Sequence, residues 1–170
     1  MRRIRDDAGR GDRPAAARLL QRACRAGGLE QNDLQELIAE IWVMLDRPAG
    51  PPGHGALTDG EWLELFTMSG FFVTPKKLPF NVSDPMRIYR ASTDERCRGM
   101  SWCNYREMAE RFLPKDHRRS AWRIWTAEVP RSAILAVLFR PDDSVFHLPY
   151  AAAREIVVDP TQLPSGLEVV

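Results

Sequence analysis

The hydrophobic period of this chain changes near residue 80, and that change limits the folds open to it. Before that point apolar residues recur at helical spacing: Leu34, Leu37, Ile38, Ile41, Trp42 and Leu45 mark one face. After it the pattern alternates. Arg87-Ile88-Tyr89-Arg90-Ala91 and Trp122 to Val129 read as strands with a period of two, and Ile134 to Phe139 and Glu155 to Val158 as short apolar strands. An N-terminal helical region (residues 1–80) followed by a β-rich core (residues 81–170) is therefore expected, an α+β arrangement that packs as one compact unit.

Three helices are expected in the first region. Pro14 suits a first turn, Leu19, Leu20, Ala23 and Cys24 form a stripe, and Gly27-Gly28 stops the run. A second helix starts at a capping-box pattern, Asp33 with Glu36, and runs to about Asp46. Pro48-Ala49-Gly50-Pro51-Pro52-Gly53 cannot continue it and predicts a mobile linker. A third helix follows the capping pair Thr58 and Glu61, carries Trp62, Leu65 and Phe66 on one side, and stops at Gly70. Its aromatic face, continued by Phe71 and Phe72, is expected to pack inward rather than to dock a partner. In the core, Asn104 to Leu113 reads as one short helix with Asn104 as its cap, Pro114 as its stop, and Met108, Ala109, Phe112 and Leu113 on one side.

Charge and cysteine usage narrow the function classes. The formal net charge is +1, but residues 1 to 26 hold eight arginines against three aspartates. Such an arm can touch nucleic acid, although a solvated tail is the simpler reading. Cys24, Cys97 and Cys103 are odd in number and form no C-x-x-C pair, which points to a reducing cytoplasm and to no structural zinc. His54, His117 and His147 stand far apart, so no metal site is expected. No apolar run has the length of a membrane span, and the arginine-rich start lacks the apolar core of a signal peptide.

Four stretches of the second half each set a polar residue at the edge of an apolar run: Ile88-Tyr89-Arg90, Gly99-Met100-Ser101-Trp102-Cys103, Trp122 to Pro130, and Arg154-Glu155-Ile156-Val157-Val158-Asp159-Pro160. Their order and content resemble the ADP-ribosyltransferase superfamily, in the branch with an arginine on the first strand, a serine-led motif on a following strand and a glutamate on a later one. The likeness covers about residues 86 to 160 and is closest to small bacterial and phage members, phage anti-CRISPR ADP-ribosyltransferases among them. It implies a split β-sheet core and an NAD-dependent mono-ADP-ribosyltransferase, a glycosyltransferase-type enzyme of the cytoplasm that modifies a macromolecule, most simply a protein; toxin, anti-defence factor and regulator all stay open as its role.

The chemistry gives each residue a reason. Breaking the bond between nicotinamide and ribose develops positive charge at the anomeric carbon, as in glycoside cleavage. A carboxylate nearby stabilises that charge, and the resemblance assigns this part to Glu155. Arg90 offers a planar guanidinium to the pyrophosphate. Ser101 matches the family serine and would hold the glutamate or touch the ribose. Tyr89, Trp102, Tyr105 and Phe112 are the aromatic candidates beside the nicotinamide, and Tyr150 lies where relatives place a target-recognition loop.

One departure matters. Many members carry Glu or Gln two residues before the catalytic glutamate; this chain has Ala153. That leaves open a different acceptor side chain, or hydrolysis of NAD by water. Two further alternatives belong to other classes: a catalytically inactive binding or inhibitory protein on the same fold, and a nucleic-acid-binding regulator led by the arginine arm.

Overall fold

The computed structural model describes residue 4 and residues 12–45, 56–74, 82–115, 121–139 and 154–170. The chain is α+β and divides into two compact units, Met1–Thr74 and Pro75–Val170. The expected division near residue 80, the 48–53 linker and Tyr150 all lie outside the described residues.

In the first unit, α1 (Arg13–Arg25), α2 (Gln31–Met44) and α3 (Asp59–Ser69) are followed by the short strand β1 (Phe72–Thr74). Helix α1 begins where the Asp12 carboxylate accepts from the Ala15 amide, with Pro14 in the first turn. Its buried side is Ala16, Ala17, Leu20 and Cys24, so the stripe is turned from the expected one: Leu19 and Ala23 flank it half-buried. Helix α3 carries the expected capping box. The Glu61 amide donates to Thr58 Oγ1 at 3.3 Å, and the Thr58 amide donates to Glu61 Oε2 at 2.8 Å. The Thr58 amide, ahead of the Gln21 side chain, holds the Glu61 carboxyl below its usual range. Gly70, at φ 66°, ends the helix in a conformation that a side chain would strain.

The same pattern at Asp33 and Glu36 does not cap α2. That helix starts two residues before Asp33, behind Glu30, which makes no side-chain cap bond. Its first turns are instead tied to the end of α3: Gln31 Nε2 and Gln35 Nε2 both donate to the Ser69 carbonyl, at 2.9 and 2.8 Å. A tertiary contact overrides the local signal, and Asp33 becomes a first-turn acid favoured by the helix dipole.

The core of this unit is aromatic. Trp42 meets Trp62 edge-on, with centroids 5.0 Å apart at 83°, and meets Phe66 at 5.1 Å and 78°. Trp62, Leu65 and Phe66 are all buried, so the α3 face packs inward as expected. Phe72 is buried with them while Phe71 is exposed.

In the second unit the strands are β2 (Met86–Ser92), β3 (Ser101–Cys103), β4 (Arg123–Val129), β5 (Ile134–Phe139), β6 (Arg154–Val158) and β7 (Glu168–Val169), with helix α4 (Arg106–Glu110) between β3 and β4. They lie in the order β5-β6-β3-β2-β4-β7, each neighbouring pair antiparallel. The longest pairing, β2 with β4, runs from Met86 opposite Val129 to Ser92 opposite Arg123.

One face of the sheet carries α4 over a cluster of Cys103, Met108, Ala109 and Ile124, with Tyr89, Ala91 and Leu113 against it. By alternation the other face holds Ile88, Trp102 and Ile156, each at most 1% exposed. Helix α4 is shorter than the expected Asn104 to Leu113. Tyr105 is its cap and makes no side-chain cap bond, and Phe112 falls beyond the helix and is exposed. None of the helices among the described residues is long and apolar enough to cross a membrane.

Candidate functional site

Strand register brings the serine and the glutamate together. In the β3–β6 ladder Cys103 faces Glu155 and Ser101 faces Val157, so Ser101 and Glu155 are diagonal neighbours on the same face. The Ser101 hydroxyl donates to Glu155 Oε1 at 2.6 Å. This is a charge-assisted bond, short as such bonds are. Glu155 is only 7% exposed, and it is flanked by Leu138 on β5 and Cys103 on β3. A carboxylate so far from water is costly unless its oxygens are bonded, and the hydroxyl supplies one such bond.

Arg90 joins the same residue by a different route. Tyr89 faces Cys103 across the β2–β3 pair, so Tyr89 takes the face of Ser101 and Glu155, whereas Arg90 leaves β2 on the side of its partner Trp125. The guanidinium then reaches the backbone of the turn that leads into β3. Nε donates to the Arg96 carbonyl at 3.1 Å and Nη1 donates to the Ser101 carbonyl. Ser101 thus receives the guanidinium on its carbonyl and offers its hydroxyl to the carboxylate. The three candidates form one hydrogen-bonded chain across β2, β3 and β6.

That turn is well held. It contains a 3-10 segment, Asp94–Arg96, and the Trp102 indole N–H donates to the Gly99 carbonyl at 2.7 Å. The Met100 carbonyl accepts from the Val158 amide at 2.9 Å, which fixes the start of β3 against the end of β6.

The aromatic candidates scatter. Trp102 is 1% exposed and belongs to the core on the face opposite Ser101, where it anchors the turn rather than lining a surface. Tyr89 is half-buried against the α4 cluster on the Ser101 face. Tyr105 and Phe112, at opposite ends of α4, are exposed at 40% and 49%.

A cleft of about 440 Å³ opens elsewhere in this unit. It is lined by Arg106, Glu110, Leu113, Trp122, Arg123, Ile124, Val169 and Val170, and by none of the three linked residues. Both of its arginines are paired: Arg106 with Glu110 at 2.9 Å, and Arg123 with Asp94 at 3.2 Å. Its wall depends on β7 pairing with β4, and a two-residue strand has no period by which the sequence could announce it. Among the described residues no group of three or more His, Cys, Asp or Glu could hold a metal ion.

Of the three candidates, Ser101 and Glu155 share one face of the sheet, while Arg90 leaves β2 on the other and reaches Ser101 only through its backbone carbonyl. Comparison of the chain with protein-family models, curated proteins and solved structures finds no match.

Proposed function

We propose that this chain is an NAD-dependent mono-ADP-ribosyltransferase, with the sheet of its second unit as the ADP-ribosyltransferase-type core and a protein as acceptor. The observation that carries the reading is the 2.6 Å bond from the Ser101 hydroxyl to the buried Glu155 carboxylate. Two residues 54 apart in sequence meet on one face of the sheet. Glu155 is 7% exposed, and burial that deep is rare for a carboxyl side chain.

In this reading Glu155 sits beside the ribose that carries nicotinamide. Its fixed negative charge stabilises the positive charge that develops as the glycosidic C–N bond breaks, and nicotinamide leaves with the bonding electrons. The Ser101 hydroxyl keeps the carboxylate from rotating, so little reorganisation is needed during bond cleavage. Arg90 takes the pyrophosphate. Ala153 stands two residues before Glu155, so the second carboxylate or amide that steers many relatives toward arginine acceptors is missing. Water is then a competing acceptor, and hydrolysis of NAD is the alternative product.

Incubation of the purified chain with NAD, with free nicotinamide as readout, tests this. Glu155→Ala should lower release by about 10²- to 10³-fold. Labelled NAD in a host lysate, followed by mass spectrometry of whatever becomes tagged, separates transfer from hydrolysis. If NAD is neither bound nor consumed, even with lysate present, the enzymatic reading is lost and a binding or inhibitory role on the same fold takes its place. Binding to DNA that weakens steeply with salt would instead favour the regulator reading.

A further inference from the structure

We infer that Gly99 is a positioning residue for Arg90: the space left by its missing side chain is the seat that sets the guanidinium for an anionic ligand of the pyrophosphate class. The ligand half of this inference rests on the NAD reading above; the positioning half does not.

A Cβ built on Gly99 would lie 2.6 Å from Arg90 Nη2, 2.9 Å from Cζ and 3.3 Å from Nη1. No other glycine among the described residues stands this close to a functional candidate. Gly27, Gly60 and Gly166 have nothing within 4 Å, and Gly70 meets only Gln31 Nε2, at 3.1 Å. Gly99 also lacks the positive φ that explains Gly27 and Gly70, so backbone conformation is not what requires a glycine there.

Which partner would give way can be read from the bonds. The Gly99 carbonyl is held at 2.7 Å by the indole of Trp102, itself 1% exposed, and the Gly99 amide donates to the Arg96 carbonyl at 3.4 Å. The backbone is therefore pinned to the core. The guanidinium is the far end of a flexible side chain, and it must move, leaving its bonds to the Arg96 and Ser101 carbonyls. Gly99→Ala is thus expected to displace one functional group while leaving the fold in place.

The test uses the full chain in two parts. In the first, without ligand, the Arg90 Nε–H signal is followed by 15N NMR. Gly99→Ala should shift that signal and speed its exchange with water by about tenfold, because its acceptor is lost, with the melting temperature unchanged. An unmoved signal overturns the positioning role. Should Gly99→Ala fail to fold, Gly99→Ala combined with Arg90→Ala serves as the second variant: it should fold, because the side chain that the new Cβ meets is gone, and its failure too overturns the positioning role.

In the second part NAD affinity is measured by titration calorimetry. Gly99→Ala should weaken it by about tenfold through misplacement of the guanidinium, and should add nothing in an Arg90→Ala background. An equal loss in both backgrounds overturns the inference, since Gly99 would then act without Arg90. If Arg90→Ala leaves NAD affinity unchanged while the NMR signal still moves in Gly99→Ala, the ligand half falls and the seat itself stands. In turnover, Gly99→Ala should raise KM for NAD with kcat little changed, whereas general distortion of β3 would lower kcat through Ser101 and Glu155.

Discussion

The two units bury polar groups for different ends. In the helical unit the three buried polar side chains are neutral: Gln35 bonds the Ser69 carbonyl and Ser69 Oγ the Phe66 carbonyl, both at a helix end, while Gln21 lies beside the Glu61 carboxyl. In the sheet unit Thr126 does similar work, its hydroxyl donating to the Ile88 carbonyl at 3.0 Å. Glu155 does not. It is the one ionisable side chain among the buried polar residues described, and the Ser101 hydroxyl donates to it from the neighbouring strand. Neutral polar groups that complete a helix or strand are architecture; a buried carboxyl group asks for partners of its own, and the Ser101 hydroxyl is one of them.

The helical unit offers the largest effect with which to press that contrast. Trp42→Ala removes a fully buried ring that two other rings contact edge-on, and should cost about 3–5 kcal/mol in urea unfolding followed by circular dichroism. A loss below about 1 kcal/mol would mean that this core collapses around the gap, far more loosely packed than its geometry indicates.

Next comes Ser101→Ala, which removes a donor from the Glu155 carboxylate. A loss of about 1–3 kcal/mol is expected, because a charged acceptor stays behind in a dry setting. The loss should shrink when Glu155→Leu is combined with it, since the two residues act on each other. Equal losses with and without the carboxylate would erase the distinction between the units.

The smallest effect sharpens the comparison from the side of the helices. Glu61 has its folded-state pKa lowered, first by the Thr58 amide. Its contribution to stability is therefore complete above the unfolded-state value of about 4.3 and is lost as pH falls through the lower folded value. Wild type should exceed Glu61→Gln by up to about 1 kcal/mol at neutral pH, and the gap should close in acid. A gap that widens in acid would reverse the sign of this linkage.

Much of the architecture could be read from the chain, and the exceptions are instructive. Thr58 with Glu61 and Asp33 with Glu36 present the same pattern, yet only the first is a cap, because Gln31 and Gln35 reach across to Ser69 and draw the start of α2 earlier. No local rule contains that contact. The seven-residue strands β2 and β4 alternate visibly, and β5 and β6 show as short apolar runs. The three-residue β3 does not, so the inward turn of Trp102 could not be told from an outward one. The candidates Arg90, Ser101 and Glu155 came from motif order, but the diagonal of Ser101 and Glu155 depends on a register set by hydrogen bonds between distant strands. The cleft beside Trp122 left no trace at all, since it needs the last residues of the chain to lie along β4.

Ser101 serves through two atoms, and only one of them is encoded by its codon. The carbonyl that receives Arg90 would survive any replacement at this position; the hydroxyl that meets Glu155 would not. Drift at residue 101 could therefore remove the carboxylate's companion while the guanidinium stays moored to the same backbone.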